Sequence, residues 1–512
     1  MEEKHVLSNI EKCNMKLLNE ERIKETKEID SKISASEKIL TICIAFGLAI
    51  IYDRLFSFKQ VGISVVIFYV MFMGFFLWSI REKVRSIRNI DFIMIIPILL
   101  LAINYSIHSN SLLNYLNGVM ILLLTVISTL LIRYRDRKWE YDQLVRKVFT
   151  RVFKKIPENI WKPFIFIKES ITLKGKKQKN STNKNILRGL IISIPLLIVI
   201  IVLLTSADMV FKNYLMNFSR AFENINIGNT MSHFLVIMAI FLISFSYIWS
   251  FKYTCKHKEY NKKTLQWEPI SMLTVIFMIN IVYLLFSIVQ FSYLYGGDTS
   301  FLPSGFTYSE YARKGFFELF AVTIINFTIL LSSMKFIKKD NKTISIIANI
   351  LLTLLVGFTM NMLFSAHYKM SLYEQTYGFT YLRIFVHIFM FMLFLLFIIA
   401  LIGIWNRKVP VNKVLLITVL IMYIVLNYIN VDKVIAQKNI DIYYKTQKID
   451  VLYLESLSYD ATVEIIKLKN DSNEEVSSEV NIYLSDIKKE LSKESSWYEF
   501  NYSKYRSKKA IN

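Results

Sequence analysis

"TYLRIFVHIFMFMLFLLFIIALIGIW" (Thr380–Trp405) decides the class of fold. Arg383 and His387 sit near its start, and no other charged or titratable group except Tyr381 interrupts the run. About 20 consecutive apolar residues are what a helix needs to cross the hydrocarbon core of a bilayer. Arg383 and His387 are four apart, hence on one helical face at the helix opening.

Working outward, similar runs recur along all 512 residues, which are 54% hydrophobic with a mean hydropathy of +0.39. Spans are predicted at 39–55, 61–80, 92–107, 112–132, 186–208, 231–251, 269–293, 315–334, 344–367, 380–405 and 414–429. With 14 Gly and 7 Pro, long irregular stretches are not expected. Helices satisfy every backbone group inside lipid, and the short alternating segments of a membrane barrel are missing. The expected fold is therefore all-α: a polytopic membrane helical bundle of about 11 transmembrane helices with a small helical C-terminal tail domain.

Charge sets the orientation. The net charge of +22 would suit nucleic acid, but the excess sits in short loops between apolar runs. With the N-terminus inside, the inner loops are 81–91, 133–185, 252–268, 335–343 and 406–413, and each is basic. The outer loops hold two basic residues or fewer, so the positive-inside bias holds throughout. No nucleic-acid partner is expected. An odd number of spans leaves 430–512 outside, and the expected location is the bacterial cytoplasmic membrane. Cys13, Cys43 and Cys255 are scattered without metal spacing and imply no disulfide framework. The first 38 residues carry both signs of charge, which reads as a cytoplasmic segment without a cleavable signal, followed by a retained anchor.

The segments that follow are 39–132 with four spans, a basic loop over 133–185, a core bundle of about seven spans over 186–429, and the tail 430–512. In the loop, Leu144, Val148, Val152 and Ile156 recur at four-residue spacing. Arg146, Lys147, Arg151, Lys154 and Lys155 fill the other face. This is the pattern of a basic amphipathic helix at the membrane interface, where anionic lipid attracts each basic residue by roughly 1 kcal/mol. Lys174–Asn185 reads as a flexible charged linker. In the tail, helices are predicted at 432–447, 450–468 and 473–494, the last opened by "SNEE" (Ser472–Glu475) with capping-box spacing. Alone, the tail is too small for a large core, so it is expected to pack on the outer membrane surface or on a partner.

No nucleotide loop, dinucleotide fingerprint, nucleophile elbow, HExxH or CxxC is present. No catalytic, cofactor or metal residue is assigned. What remains is polar residues in or beside spans, which are costly in hydrocarbon. Asp208, Arg313, Glu318, His367, Arg383 and His387, with Asn361, concentrate towards the predicted outer face and form a candidate polar cluster, functional or structural. Glu318 and Arg383 have opposite charge at similar depth and are expected to pair. His108 and His233 also fall at outer ends of spans. Asn280 and Gln290 are expected to bond between helices.

Several blocks resemble a known family. They are "ILRGLIISIPLLIVIIVLLTSADMVF" (Ile186–Phe211), "YSEYARKGFFELFAV" (Tyr308–Val322) and "YGFTYLRI" (Tyr377–Ile384), then "KIDVLYLESLSYDA" (Lys448–Ala461) and "WYEFNYSKYRSKKA" (Trp497–Ala510). "IYDRLFS" (Ile51–Ser57) is a weaker echo. Together they resemble the bacterial multi-pass membrane family catalogued as domain of unknown function four-one-seven-three, related to four-one-five-three. The resemblance implies no activity. It singles out Ser206, Ala207, Asp208, Tyr311, Arg313, Gly315, Glu318, Tyr377 and Arg383 as motif positions, and implies that the tail is integral to the fold. The expected role is an envelope-associated interaction or sensing protein, contacting anionic lipid at the cytoplasmic face and a membrane protein partner. A transporter with an outer-facing polar cavity is the alternative. A lipid-linked transfer enzyme, suggested by Asp53 near the first outer loop, is the second.

Overall fold

The computed structural model describes residues 26, 28–81, 92–134, 141–174, 197, 204, 208, 227–253, 267–290, 308–337, 342–406 and 408–512. Among these residues there is helix and no strand, apart from one isolated bridge between Trp267 and Ile337. The protein is an all-α helical membrane bundle. Eight described helices are long and apolar enough to cross a membrane, and Ser64–Ser79 and Ile95–Ile107 are shorter apolar helices. They correspond to ten of the predicted spans. The remaining one, 186–208, lies outside the described residues except at 197, 204 and 208, as does most of the predicted linker.

The chain divides into two compact units. One comprises Met1–Leu99 and Leu122–His257, the other Leu100–Ile121 and Lys258–Asn512. In the first, α1 (Ala35–Phe56) is followed by α2 (Ser64–Ser79). Ser34 caps α1 by accepting from Glu37 N at 3.2 Å, which satisfies one orphan donor of the first turn. Helices α3 (Ile95–Ile107) and α4 (Ser111–Arg133) each contribute to both units. The basic loop holds α5 (Tyr141–Thr150), a π-helical turn over Arg151–Lys155, and α6 (Lys162–Lys174). Helix α7 (Ile227–Trp249) packs on α1. Phe76, Phe166, Phe245, Trp249 and Phe251 are all buried at its core, where aromatic rings supply large contact areas.

In the second unit, α8 (Pro269–Gln290), α9 (Tyr308–Phe336), α10 (Lys342–Tyr377), α11 (Tyr381–Trp405) and α12 (Val411–Tyr428) form the bundle. Helix α10 is central, packing against α8, α9 and α11. Its neighbours are tied to it by buried polar groups. Asn280 Nδ2 donates to Leu351 O at 2.9 Å, Asn326 Nδ2 to Thr359 Oγ1 at 2.9 Å, and Gln290 Nε2 to Ser365 Oγ at 2.5 Å. Helix α11 reaches α12 closely because Gly403 has no Cβ to meet the Val411 side chain. A second knot joins α12 to α3 and α4. Asn117 Nδ2 donates to Asn427 Oδ1, and Asn104 Nδ2 to Asn427 O, both at 2.6 Å. All three asparagines are fully buried, where a polar group is tolerated only when hydrogen-bonded.

Helix α10 runs ten residues beyond its predicted end at 367. Nothing in "HYKMSLYEQTY" breaks a helix, and the helix stops before Gly378, whose φ of +77° terminates it in the left-handed region. The tail is likewise more elaborate than predicted. It has α13 (Val431–Thr446), short helical turns over 451–468, α14 (Glu474–Leu491) and α15 (Tyr502–Ile511). Helix α15 has no counterpart among the predicted elements. The cap of α14 is Asn473, accepting from Glu475 N at 3.0 Å, one residue later than the Ser472 of the predicted box.

The tail also has a core of its own. Ile435, Ala436, Leu454, Ala461, Ile465, Leu468 and Val480 are completely buried. Tyr381, Ile384 and Phe385 from the start of α11 pack against that cluster. Small size is thus offset by continuity with the bundle, whose helix ends complete the apolar layer.

Candidate functional site

The extension of α10 creates the site. His367 and Glu374 are seven residues apart, two turns along one face of α10. Helix α11 returns beside them through the turn at Gly378 and brings His387 into register. His387 Nδ1 lies 2.8 Å from His367 Nδ1, and His387 Nε2 lies 2.8 Å from Glu374 Oε2. The two rings meet edge to face with centroids 4.7 Å apart. Glu374 is 4% exposed, and its Oε1 has no hydrogen-bond partner.

Proton bookkeeping follows from the atoms. A carboxylate accepts, so His387 Nε2 carries the donated hydrogen. Two facing Nδ1 atoms then share one proton between them, one donating and the other accepting. The result is a hydrogen-bonded chain from Glu374 through His387 to His367. Both nitrogens of His387 are engaged, so the three side chains do not converge on one point as metal ligands must. Among the described residues, no three His, Cys, Asp or Glu side chains are grouped to hold a metal ion.

Arg383 belongs to the same corner but does not pair with Glu318. Its Nη1 donates to Tyr377 O at 2.9 Å and to Gly378 O, and its guanidinium lies over the Tyr373 ring at 4.4 Å. The carbonyls at the end of α10 attract it, as they attract any cation at a helix C-terminus. Glu318 is exposed, and its charge instead bears on Lys369, which is 5% exposed. Of the six predicted cluster residues, His367, His387 and Arg383 are therefore neighbours. Asp208 lies in the other unit, with its amide donating to Leu204 O at 3.0 Å. Arg313 falls in α9, and its side chain lies outside the described residues.

The remaining described histidines are also paired. His233 Nδ1 lies 2.7 Å from Asp53 Oδ1. His108 Nδ1 lies 2.8 Å from Asp460 Oδ1. Asp460 further accepts from Asn430 Nδ2 at 3.0 Å and Ser109 N at 2.7 Å. Burial works to raise this carboxyl, but the hydrogen bonds and charge of His108 with the bonds from Ser109 outweigh it and hold Asp460 below the usual carboxylate range. Asp432 nearby accepts from Asn110 Nδ2 at 2.7 Å, from Ser458 N at 3.1 Å and from the Tyr381 hydroxyl. Two acidic residues thus fasten the tail, one to the turn between α3 and α4, the other also to the first residue of α11. The sequence reading missed Glu374, Asp432 and Asp460. Only the seven-residue spacing of His367 and Glu374 on a continued helix offered a signal for the first.

The predicted basic face divides. Arg146 and Lys154 are exposed. Arg151 is 2% exposed and turns into the bundle: its Nη1 donates to Ser250 O at 2.8 Å and Ser250 Oγ at 2.7 Å, and its Nη2 to Tyr134 Oη at 3.0 Å. It therefore does not face lipid. Lys147 and Lys155 are half-buried, Lys147 over the Tyr134 ring at 5.8 Å and Lys155 against Glu158 at 3.3 Å.

The family model described as "Domain of unknown function (DUF4153)" matches residues 95–468. The chain belongs to this family. The sequence blocks suggested domain family four-one-seven-three with this family as its relative, and the family that the match shows is this one. The match begins in α3, ahead of the five main blocks but after the Ile51–Ser57 echo, and takes in the histidine pair, Glu374, Asp432 and Asp460. It ends at Leu468, short of α14 and α15. No curated protein and no solved structure matches the chain.

Proposed function

We propose that the chain is an envelope-associated sensing or interaction protein of a bacterial cytoplasmic membrane, with its N-terminus inside and its tail outside. The positive-inside bias of the loops supports the orientation. The observation that carries the role is the double fastening of the tail through Asp460 and Asp432. A module that shares a core with α11 and bonds to Tyr381 transmits strain at its surface to the helix bearing His387. Leu452, Ile482 and Trp497 on the tail are 71%, 62% and 73% exposed and offer an apolar surface to a membrane protein partner. The exposed Arg146 and Lys154 face anionic lipid on the other side. The quoted blocks favour closer kinship with domain family four-one-seven-three within this group.

The test is genetic. Full-length protein and an Asp432→Asn/Asp460→Asn variant are expressed in cells lacking the gene and exposed to envelope stress. The variant is expected in the membrane at a comparable level, yet without rescue of any growth defect that the wild-type chain restores. Full rescue by the variant rejects the coupling.

A transporter is the second reading, favoured by the Glu374–His387–His367 chain. Such chains of Glu and His inside membranes serve as proton relays. Purified protein in liposomes with an internal pH dye tests it: proton flux that disappears in Glu374→Gln supports the relay, and no flux under an imposed potential or candidate solute gradient argues against it.

A further inference from the structure

A cavity of about 260 Å³ lies between α10 and α11, with Leu363, Phe364, Phe391 and Phe394 in its wall and the two histidines among its lining. The helix register orders these residues. Leu363 and Phe364 are one turn deeper in α10 than His367, and Phe391 and Phe394 are one and two turns deeper in α11 than His387. The imidazoles therefore stand at the end near the Gly378 turn, and the apolar wall extends towards the middle of the span. That is the polarity of a lipid molecule, with its head at the interface and its chain in the core.

The opening faces the bilayer. Phe364 and Phe391 are 61% and 55% exposed, on helices that cross the membrane. The volume falls just under the roughly 300 Å³ at which clefts for drug-sized ligands begin, which suits one hydrocarbon chain.

The polar end has donors to spare. His387 is saturated by Glu374 and His367, which leaves Nε2 of His367 as the ring nitrogen of the pair without a partner among the described residues. Arg383 is one turn above His387 on the same face of α11. Only Nη1 of its guanidinium is engaged with the described residues, on the carbonyls of Tyr377 and Gly378. Glu374 is the single carboxylate among these groups, and its buried Oε1 lacks a donor. The remaining N–H groups of the Arg383 guanidinium, with the imidazole pair below them, are the donor types that a phosphate uses.

We infer that this groove takes one acyl chain of an anionic phospholipid, with the phosphate held by His367 at the rim and by Arg383 from one helical turn above it. Charge complementarity at the rim and the apolar wall below it select this occupant over a free anion, which would use only the rim. The inference is independent of the sensing and transport readings.

Native mass spectrometry of the full chain, released from neutral detergent, tests it directly. The probes are phosphatidylglycerol, phosphatidylcholine with the same chains, and inorganic phosphate. The wild-type chain is expected to retain one phosphatidylglycerol in preference to phosphatidylcholine by roughly tenfold, because the choline cation of the latter is repelled by Arg383, and to retain no phosphate. His367→Gln and Arg383→Gln should each remove that preference, while Arg383→Lys keeps part of it. Phe391→Ala should weaken retention of both lipids. Equal retention of the two lipids by the wild-type chain overturns the inference, and this comparison stands even where a variant fails to insert. Retention of phosphate alone, or a lipid-free dimer that Phe391→Ala dissociates, also overturns it, because a free anion or a second copy would then be the occupant.

Discussion

Asp460 Oδ1 and His108 Nδ1 meet at 2.8 Å across 352 residues of sequence, both nearly buried. This contact joins the tail to the turn between two membrane helices, and Ser109, Asn430 and Ser458 also donate to the carboxylate. Removing Asp460 strands five donors at once, His108 Nδ1, Ser109 N, Ser109 Oγ, Asn430 Nδ2 and Ser458 Oγ. Asp460→Ala is expected to destabilise by about 3–5 kcal/mol, the cost of breaking a buried ion pair from one side. His108→Ala, which leaves four of those donors in place, should cost less. Thermal unfolding of the purified chain followed by tail-domain fluorescence checks the order of the two effects.

The same carboxylate makes stability depend on pH. Its folded value lies below its unfolded one, which is about 3.9 for an ordinary Asp. The stabilisation is therefore fully present above the unfolded value and is lost as pH falls through the folded value. The wild-type melting temperature is expected to drop below about pH 4 more steeply than that of Asp460→Asn. Parallel curves for the two proteins through that window would remove Asp460 as the group responsible.

Arg151 is a lock rather than a lipid contact. It is buried, stacked over the Phe251 ring at 4.0 Å, and bonded to Ser250 and Tyr134. Arg151→Lys keeps the charge but not the planar fork that spans both partners. A loss of about 2–3 kcal/mol is expected. Lys154→Ala should leave stability unchanged and weaken binding of the loop to anionic vesicles by roughly 1 kcal/mol. Melting and vesicle co-flotation of the two variants separate the roles.

Gly378 positions the histidine corner. Its φ is +77°, and a Cβ there would stand 2.8 Å from Asn439 Oδ1. Asn439 holds Phe379 by accepting from its amide at 2.6 Å and donating to its carbonyl at 2.9 Å. Gly378→Ala therefore incurs both the left-handed cost of about 1–2 kcal/mol and the displacement of Asn439. Its melting temperature should fall more than that of a Gly47→Ala control, since Gly47 has open space around its Cβ position.

Much of this was legible in the residues. Hydropathy located the apolar helices because the bilayer acts on each span separately, over a length fixed by its thickness. His367, His387 and Arg383 stood out as polar groups where polarity is costly, and they are neighbours. Glu374 was missed because an apolar criterion ends α10 at 367, while the helix itself ends where Gly378 can turn left-handed. The basic periodicity marked α5 but could not tell Arg151 from Lys154, since both lie on the polar face and only one has a carbonyl, a hydroxyl and a ring waiting for it.

The sequence by itself determined the class of fold, the apolar spans and the residue types concentrated at helix ends. The lipid solvent enforces these locally, one helix at a time. Only the tertiary structure decided the partners: His387 with Glu374, His108 with Asp460, Tyr381 with Asp432, and Arg383 with helix-end carbonyls instead of Glu318. Those choices depend on which donors and acceptors come within about 3 Å after packing, a distance that no spacing along the chain specifies.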